Sequence, residues 1–191
     1  RAWQCSLAVA SFAAGQQVGA ANASYTTNSN LTTIIPLDDT IPQNTEGTEI
    51  LSATITPKNA NNLIIVEFSG FGACDTNNRT IISALFKDSV ADALNAAAIE
   101  AKGVNTATNL VLRHSFIAGT VSPITLKIRV GPSAASTLRL NGTAAARQFG
   151  GFQEAVRVDP EIQLPTFRIV RRSGHGPAPS AVDVPPEFAI D

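Results

Sequence analysis

Short segments that alternate apolar and polar residues recur along most of this chain, and this pattern constrains its fold more than any other feature. Between Pro123 and Gly131, four apolar residues occupy every second position: Ile124, Leu126, Ile128 and Val130. A period of two is typical of a β-strand with one buried face. Turn-forming runs rich in Asn, Asp, Gly and Pro separate these segments. The pattern therefore predicts an all-β fold, an antiparallel jelly-roll sandwich, rather than alternating strands and helices.

Neighbouring segments predict further strands of the same sandwich. Residues 62–73, with the sequence NLIIVEFSGFGA, begin with an almost continuous apolar run, as a strand buried on both faces does. Residues 50–56 alternate, with Leu51, Ala53 and Ile55 on one face. Residues 32–37, with the sequence TTIIPL, predict a short strand that ends before Asp38. Residues 110–117 place Leu110, Leu112, His114 and Phe116 on one face, and Val111, Arg113, Ser115 and Ile117 on the other.

One segment fits two interpretations. Residues 89–102, with the sequence SVADALNAAAIEAK, are rich in Ala, which favours a helix. In a jelly roll the same stretch of small residues also suits a loop followed by one edge strand. The sequence leaves both interpretations open.

The ends of the chain differ in composition from its middle. Residues 1–30 are rich in Ala, Gly, Asn and Ser, and we interpret them as an N-terminal attachment or linker segment. Residues 31–162 form the predicted jelly-roll domain. Residues 163–191 hold five of the 11 prolines and predict an extended C-terminal arm. We expect both ends to lie on partner proteins, anchored by their larger apolar side chains: Trp3, Phe12, Val182, Val184, Phe188 and Ile190. Because the sequence contains no Met, we also expect the natural chain to begin before Arg1.

The balance of charge narrows the possible partners. The chain has 14 Lys and Arg against 15 Asp and Glu, a formal net charge of -1. A nucleic-acid-binding protein usually carries a basic face, so we expect no nucleic-acid partner. No apolar run is long enough for a membrane helix, so we expect no membrane partner. Charged residues are only 15% of the chain, which suits a subunit whose surface is covered by neighbours.

Candidate catalytic and ligand-binding residues are few. His114 and Ser115 are adjacent on a predicted strand, so their side chains point to opposite faces and cannot form a nucleophile–base pair. No phosphate-binding glycine loop is present, and we expect no cofactor and no metal. Asp38 and Asp39 could ligate a hard cation, but turn residues of this kind are commoner. Cys5 and Cys74 could form one disulfide, although we favour two unpaired thiols.

Two long blocks of the sequence resemble a known class of module. The first contains IPLDDTIPQ at residues 35–43, an EGTE turn at 46–49 and a strand that ends in TITP at 54–57. The second contains TLRLNGT at residues 137–143 and RQFGG at 147–151. Together they resemble a recurring C-terminal module of tailed-phage virion proteins and prophage tail-fibre proteins. The resemblance extends over about residues 31–162, and the module is similar to the trimeric jelly rolls of the complement-globular-head and tumour-necrosis-factor class.

This resemblance implies a homotrimer located in the virion, a bacteriophage structural protein that is not an enzyme. Other virion proteins of the capsid, collar or tail would be its partners, in a tail-fibre, collar or capsid-decoration role. We expect the trimer interface to include His114, Phe116, Arg147, Phe149 and Phe152, with Arg147 pairing with a neighbour's carboxylate. Two alternatives remain: a receptor- or carbohydrate-binding tip for host attachment, and a depolymerising enzyme. The first needs aromatic platforms, and the chain has one Trp and one Tyr. The second needs a cleft with close, strongly perturbed carboxylates.

Overall fold

Antiparallel strands dominate the structure, a computed structural model that describes residues 19–144 and 146–149 together with the backbone of residues 155–162. Ten strands are present in this part of the chain: β1 (Ala21–Ala23), β2 (Ser29–Leu31), β3 (Thr48–Ile55), β4 (Leu63–Cys74), β5 (Arg79–Lys87), β6 (Asn95–Ala101), β7 (Thr108–Ile117), β8 (Ile124–Pro132), β9 (Leu138–Leu140) and β10 (Ala155–Ile162). The described residues form no α-helix. The predicted all-β class is therefore confirmed.

The strands form two sheets that pack face to face. The larger sheet has six strands and is built around β4. β7 pairs along one side of β4, while β10 and β9 pair with successive parts of its other side. β1 and β2 extend this sheet beyond β10 and β9. The smaller sheet has the order β3-β8-β5-β6. Because most neighbours in the sheets are distant in the sequence, the arrangement is a jelly-roll sandwich.

The core lies between the two sheets and follows the predicted alternation. Ile124, Leu126, Ile128 and Val130 of β8 are all at most 2% exposed. Leu51, Ala53 and Ile55 of β3 lie beside them on the same inward face, directly paired with Ile128, Leu126 and Ile124. Ile50 is buried as well, although it falls on the opposite face in a regular strand. An irregularity in register between Glu49 and Leu51 bends the start of β3 and accounts for this exception.

A second, smaller apolar cluster lies on the outward face of the smaller sheet. Residues 32–47, called the strap here, cross this face and bury Ile35 completely against Ile82, Ala84 and Phe86. Hydrogen bonds fix the strap at both ends of its course: the N–H of Ile35 donates to the carbonyl of Pro132 at 3.1 Å. The guanidinium of Arg129 donates to the carbonyls of Glu46 and Gly47. The strap therefore covers the sheet with residues of the same chain.

The structure corrects one predicted strand, decides the segment that fitted two interpretations, and moves the start of the domain. Residues 32–37 form no strand, because Pro36 has no N–H to donate and Ile35 packs instead against the outward face of the smaller sheet. Residues 95–101 form the edge strand β6 and no helix, so the second interpretation of this segment is correct. Seven residues of β6 pair with β5, and this pairing outweighs the small helix preference of Ala. β1 and β2 also lie in the larger sheet, although the sequence prediction begins the domain at residue 31.

Candidate assembly surface

The outward face of β7 carries exposed apolar side chains. Because successive residues of a strand alternate between faces, Leu110 and Leu112 enter the core while Val111 and Ile117 point outward. Val111 is 66% exposed and Ile117 is 47% exposed. Side chains of this kind are common singly on protein surfaces, so their meaning depends on what surrounds them.

The adjoining residues of β4 extend this face. β4 and β7 pair directly over ten positions, and the outward-facing pairs are Leu63 with Ile117, Ile65 with Ser115, Glu67 with Arg113, and Ser69 with Val111. Leu63 and Ile65 are half-buried, whereas their inward-facing neighbours Ile64 and Val66 are fully buried. A band of partly exposed apolar residues thus lies on the outside of the larger sheet.

An ion pair divides the band. Arg113 Nε lies 2.9 Å from Glu67 Oε1, and both side chains are substantially exposed, at 69% and 38%. The surface therefore has one charged row, formed by Glu67 and Arg113, across an otherwise apolar and hydroxylated face.

An aromatic contact closes one end of the same face. Phe71 of β4 points outward but is only 7% exposed, because the loop after β9 covers it. Phe149 of this loop meets Phe71 edge to face, with ring centroids 5.9 Å apart, and is itself 64% exposed. Asn141 fixes the loop: its N–H donates to the carbonyl of Phe71, and its Nδ2 donates to the carbonyls of Tyr25 and Thr27.

The predicted interface residues occupy two different environments. His114 and Phe116 lie on the inward face of β7, half-buried beside Leu112, with their rings stacked at 6.0 Å. Lys87 Nζ lies 5.4 Å from the centroid of the Phe116 ring. Both residues thus line the inside of the sandwich near its edge, while Val111 and Ile117 occupy the outward face. The alternation already separated the two faces, but it did not show which of them lay inside.

Arg147 and Phe149 lie on the surface, as an interface role requires. Arg147 Nη1 donates to the carbonyl of Thr26 of the same chain at 3.4 Å, which leaves its other donors available for a neighbour. Phe152 lies outside the described residues. So do Trp3, Phe12, Val182, Val184, Phe188 and Ile190, and their roles as anchors stay predictions.

Candidate metal and catalytic residues are held in structural networks. The N–H and hydroxyl of Thr40 donate to Asp38 Oδ1, an arrangement typical of a turn, and these bonds lower the pKa of Asp38. His114 and Ser115 lie on opposite faces of β7, as predicted. In the described part of the chain, no group of three His, Cys, Asp or Glu side chains is placed to hold a metal. Within the same residues, no helix is long and apolar enough to cross a membrane.

Asp75 joins the loop after β4 to the loop between β8 and β9. Its Oδ1 accepts hydrogen bonds from the N–H of Thr137 at 2.8 Å, from Ser136 Oγ at 2.9 Å and from Thr76 Oγ1 at 3.1 Å. These bonds, chiefly those from Thr137, hold the pKa of Asp75 far below its usual range. Local sequence patterns could not predict the bonds from Ser136 and Thr137, because these residues are 61 and 62 positions away in the chain.

Cys74 precedes Asp75 at the end of β4. Its thiol is buried and free, and burial raises its pKa. Cys5 lies outside the described residues.

A small open pocket lies where the edges of β6 and β7 meet. Its volume is about 140 Å³, and it is lined mainly by small and aliphatic side chains, among them Ala97, Ile99 and Val111. Pockets that hold drug-sized ligands have volumes of roughly 300–1,000 Å³. This pocket is therefore too small to define a ligand site by itself.

Comparison with known proteins gives only distant similarity. No family model matches the chain, and no curated protein matches it. Among solved structures, Eiger TNF from S. frugiperda aligns over 81% of this chain and 100% of its own, with 11% identity and a TM-score of 0.46. The dimeric latent PorU from Porphyromonas gingivalis aligns over 80% of this chain, with 11% identity and a TM-score of 0.31. This chain spans 14% of the PorU chain. The jelly-roll assignment above rests on the strand order of the chain itself.

Proposed function

We propose that this chain is a non-enzymatic structural subunit of a bacteriophage-type virion and that it assembles as a homotrimer through the outward face of the larger sheet. The observation that carries the proposal is the band of partly exposed apolar residues on β4 and β7, centred on Val111 and Ile117. The virion location is supported by the sequence resemblance of residues 31–162. In this role the protein acts by assembly and carries out no bond chemistry.

The physical case for assembly rests on the contrast between the strands at the centres of the two outward faces. The strap covers Ile82, Ala84 and Phe86 of β5 with the same chain. The larger sheet leaves Val111 and Ile117 exposed beside Leu63 and Ile65. Burial of apolar surface contributes about 25 cal/mol per Å², so covering this band with a second copy stabilises an assembly.

The assembly partner we favour is two further copies of the chain. In a threefold arrangement the same band on each subunit converges on one axis, and its charged row meets neighbouring subunits. Arg113 and Glu67 already pair within one subunit, so the row can be buried without leaving an isolated charge. The exposed Phe149 and Arg147 lie beside the band and extend the proposed contact.

Sedimentation analysis of the full chain and two matched variants tests this interface. Val111→Asp places a carboxylate in the centre of the band, and we expect it to convert the trimer to monomers because the charge would be buried without a partner. Val104→Asp makes the same change at a valine that is 51% exposed in the loop between β6 and β7. We expect this control to remain trimeric.

The oligomeric state and the unfolding transition of the Val111→Asp variant together distinguish a disrupted interface from a disrupted fold. A monomeric Val111→Asp variant with a normal unfolding transition supports the proposal. If this variant and the control are both trimeric, the outward face of the larger sheet is not the interface. The virion location is tested separately, by labelling purified phage particles with antibodies raised against the chain. Particles that bind no antibody would contradict this location.

A further inference from the structure

A second exposed apolar surface lies on the opposite side of the sandwich. Leu37 and Ile41 project from the strap and are 63% and 55% exposed, and Val90 of the loop between β5 and β6 is 50% exposed. Hydrogen bonds join the two segments: the N–H of Asn44 donates to the carbonyl of Ala91, and the N–H of Ala93 donates to the carbonyl of Pro42. We call Leu37, Ile41, Val90 and the aspartates around them the strap face.

The aspartates of the strap face lack basic partners among the described residues. They are Asp38, Asp39, Asp88 and Asp92. Asp38, Asp88 and Asp92 accept hydrogen bonds from neutral groups, namely Thr40, the N–H of Thr125 and Gln43 Nε2. Three basic side chains of the smaller sheet have other partners: Lys127 and Arg129 lie against Glu49, and Lys87 lies over the ring of Phe116. The strap face is thus apolar with a negative rim.

The chain itself contains a segment of complementary composition. Residues 166–172 read TFRIVRR, in which Phe167, Ile169 and Val170 supply apolar side chains and three arginines supply positive charge. This segment follows β10 after only three residues, Gln163 to Pro165. Opposite charges that rim an apolar contact favour docking in one place and orientation.

The sheet register places the end of β10 near the strap face. Ile162 lies opposite Leu63, which lies opposite Ile117, and the chain runs from there to the start of β8. At that same end of the sandwich, the N–H of Asp88 donates to the carbonyl of Thr125 at 2.7 Å. Ile162 and the 88–94 loop therefore lie at one end of the molecule.

From these observations we propose that residues 166–172 dock on the strap face of their own chain, with Ile169 against Val90 and the arginines among the four aspartates. The distance from Ile162 to Val90 is short enough for residues 163–169 to span. The segment must cross a sandwich about 10 Å thick and about two strand spacings of 4.8 Å each. Seven extended residues, 163–169, span roughly 23 Å. The inference is independent of the proposed trimer, because it uses the opposite face of the sandwich.

Disulfide trapping in the full chain tests the docking. In a Cys5→Ala, Cys74→Ala background, Val90→Cys is combined with Ile169→Cys, and the control combines Val121→Cys with Ile169→Cys. Val121 lies in the loop between β7 and β8, outside the proposed trimer band, and is 58% exposed, similar to Val90 at 50%. In a glutathione buffer we expect the 90–169 bond to form within one chain at least about tenfold faster than the 121–169 bond, because docking raises the effective concentration.

A charge reversal tests the electrostatic part of the inference. The variant Arg168→Glu, Arg171→Glu, Arg172→Glu leaves every described residue unchanged. We expect it to slow the 90–169 bond to the rate of the control and, in a chain without the added cysteines, to speed amide hydrogen exchange in residues 37–44. Equal rates for the two cysteine pairs would overturn the proposal. So would a 90–169 bond that the reversal does not slow, a 90–169 bond that joins two chains, or a preferred bond between two copies of residue 90.

Discussion

Arg113 Nε and Glu67 Oε1 lie 2.9 Å apart across the β4–β7 ladder, at the centre of the outward face of the larger sheet. Opposite charges at directly facing positions of an antiparallel pair stabilise a sheet, and like charges at these positions destabilise it. The pair is exposed in a single chain, so its contribution there is small.

Exchange of the two charges measures how much the attraction between Arg113 and Glu67 contributes, apart from the other contacts of each side chain. We expect Arg113→Glu to lower the free energy of unfolding by about 1 kcal/mol, because two carboxylates then face each other. Glu67→Arg combined with Arg113→Glu restores most of that loss. Urea unfolding of the wild type, the two single variants and the double variant measures the coupling. A double variant as unstable as the sum of both single variants would show that the two side chains do not interact.

The network around Asp75 predicts a specific dependence of stability on pH. Its hydrogen bonds lower the pKa of the folded carboxyl below the unfolded value of about 3.9. The stabilisation is therefore complete above that value and is lost as the pH falls below it. We expect Asp75→Asn to cost about 1–3 kcal/mol at pH 7 and clearly less at pH 3. Asp39→Asn, a change on the exposed strap, should alter stability by at most about 0.5 kcal/mol.

Urea unfolding at the two pH values checks this account of Asp75. A cost of Asp75→Asn that is the same at pH 7 and pH 3 would contradict it.

Asn141 combines an unusual backbone conformation with two side-chain hydrogen bonds. Its φ is 59°, a left-handed conformation that most residues adopt at a cost, and its Nδ2 donates to the carbonyls of Tyr25 and Thr27. We expect Asn141→Ala to cost about 2–3 kcal/mol, because it loses both bonds and adds backbone strain. Asn141→Gly loses the bonds but tolerates the backbone, so it should cost less. Thermal unfolding gives the ranking, and a glycine variant less stable than the alanine variant would contradict it.

The strap depends on close approach to Gly131. A Cβ at this position would collide with the carbonyl oxygen of Thr33 and press on the Cα of Gly47. We expect Gly131→Ala to cost about 1–3 kcal/mol and to speed amide exchange of Ile35, because the backbone of the strap must move away. Hydrogen exchange measured residue by residue checks this result. Exchange that speeds uniformly across the chain, with no larger effect in the strap, would count against a local displacement.

The alternation of apolar and polar residues predicted most of the strands and their buried faces. Ile124, Leu126 and Ile128 were predicted to share a buried face, and they do, because a strand with one wet face can satisfy only one register. Residues 89–102 could not be decided from the sequence, since the pairing of β6 with β5 depends on contacts that local preference does not encode. The burial of Ile35 against Ile82 and Phe86 likewise depends on long-range contacts.

The candidate site was harder to predict than the fold. The sequence separated His114 and Phe116 from Val111 and Ile117 but did not show which pair faces the second sheet. That choice depends on how the two sheets pack, and the structure places His114 and Phe116 inside. Phe149 lies on the surface, because the turn at Asn141 directs its loop over Phe71, and its role in a trimer interface stays a prediction.

The mass of the intact assembly in solution tests the central proposal most directly. Native mass spectrometry of the full chain at micromolar concentration should give a species of about 60 kDa, since three copies of a 19.9 kDa chain associate. The same measurement on Val111→Asp should give the single chain. A wild-type protein that is only a 19.9 kDa monomer at that concentration would contradict the account.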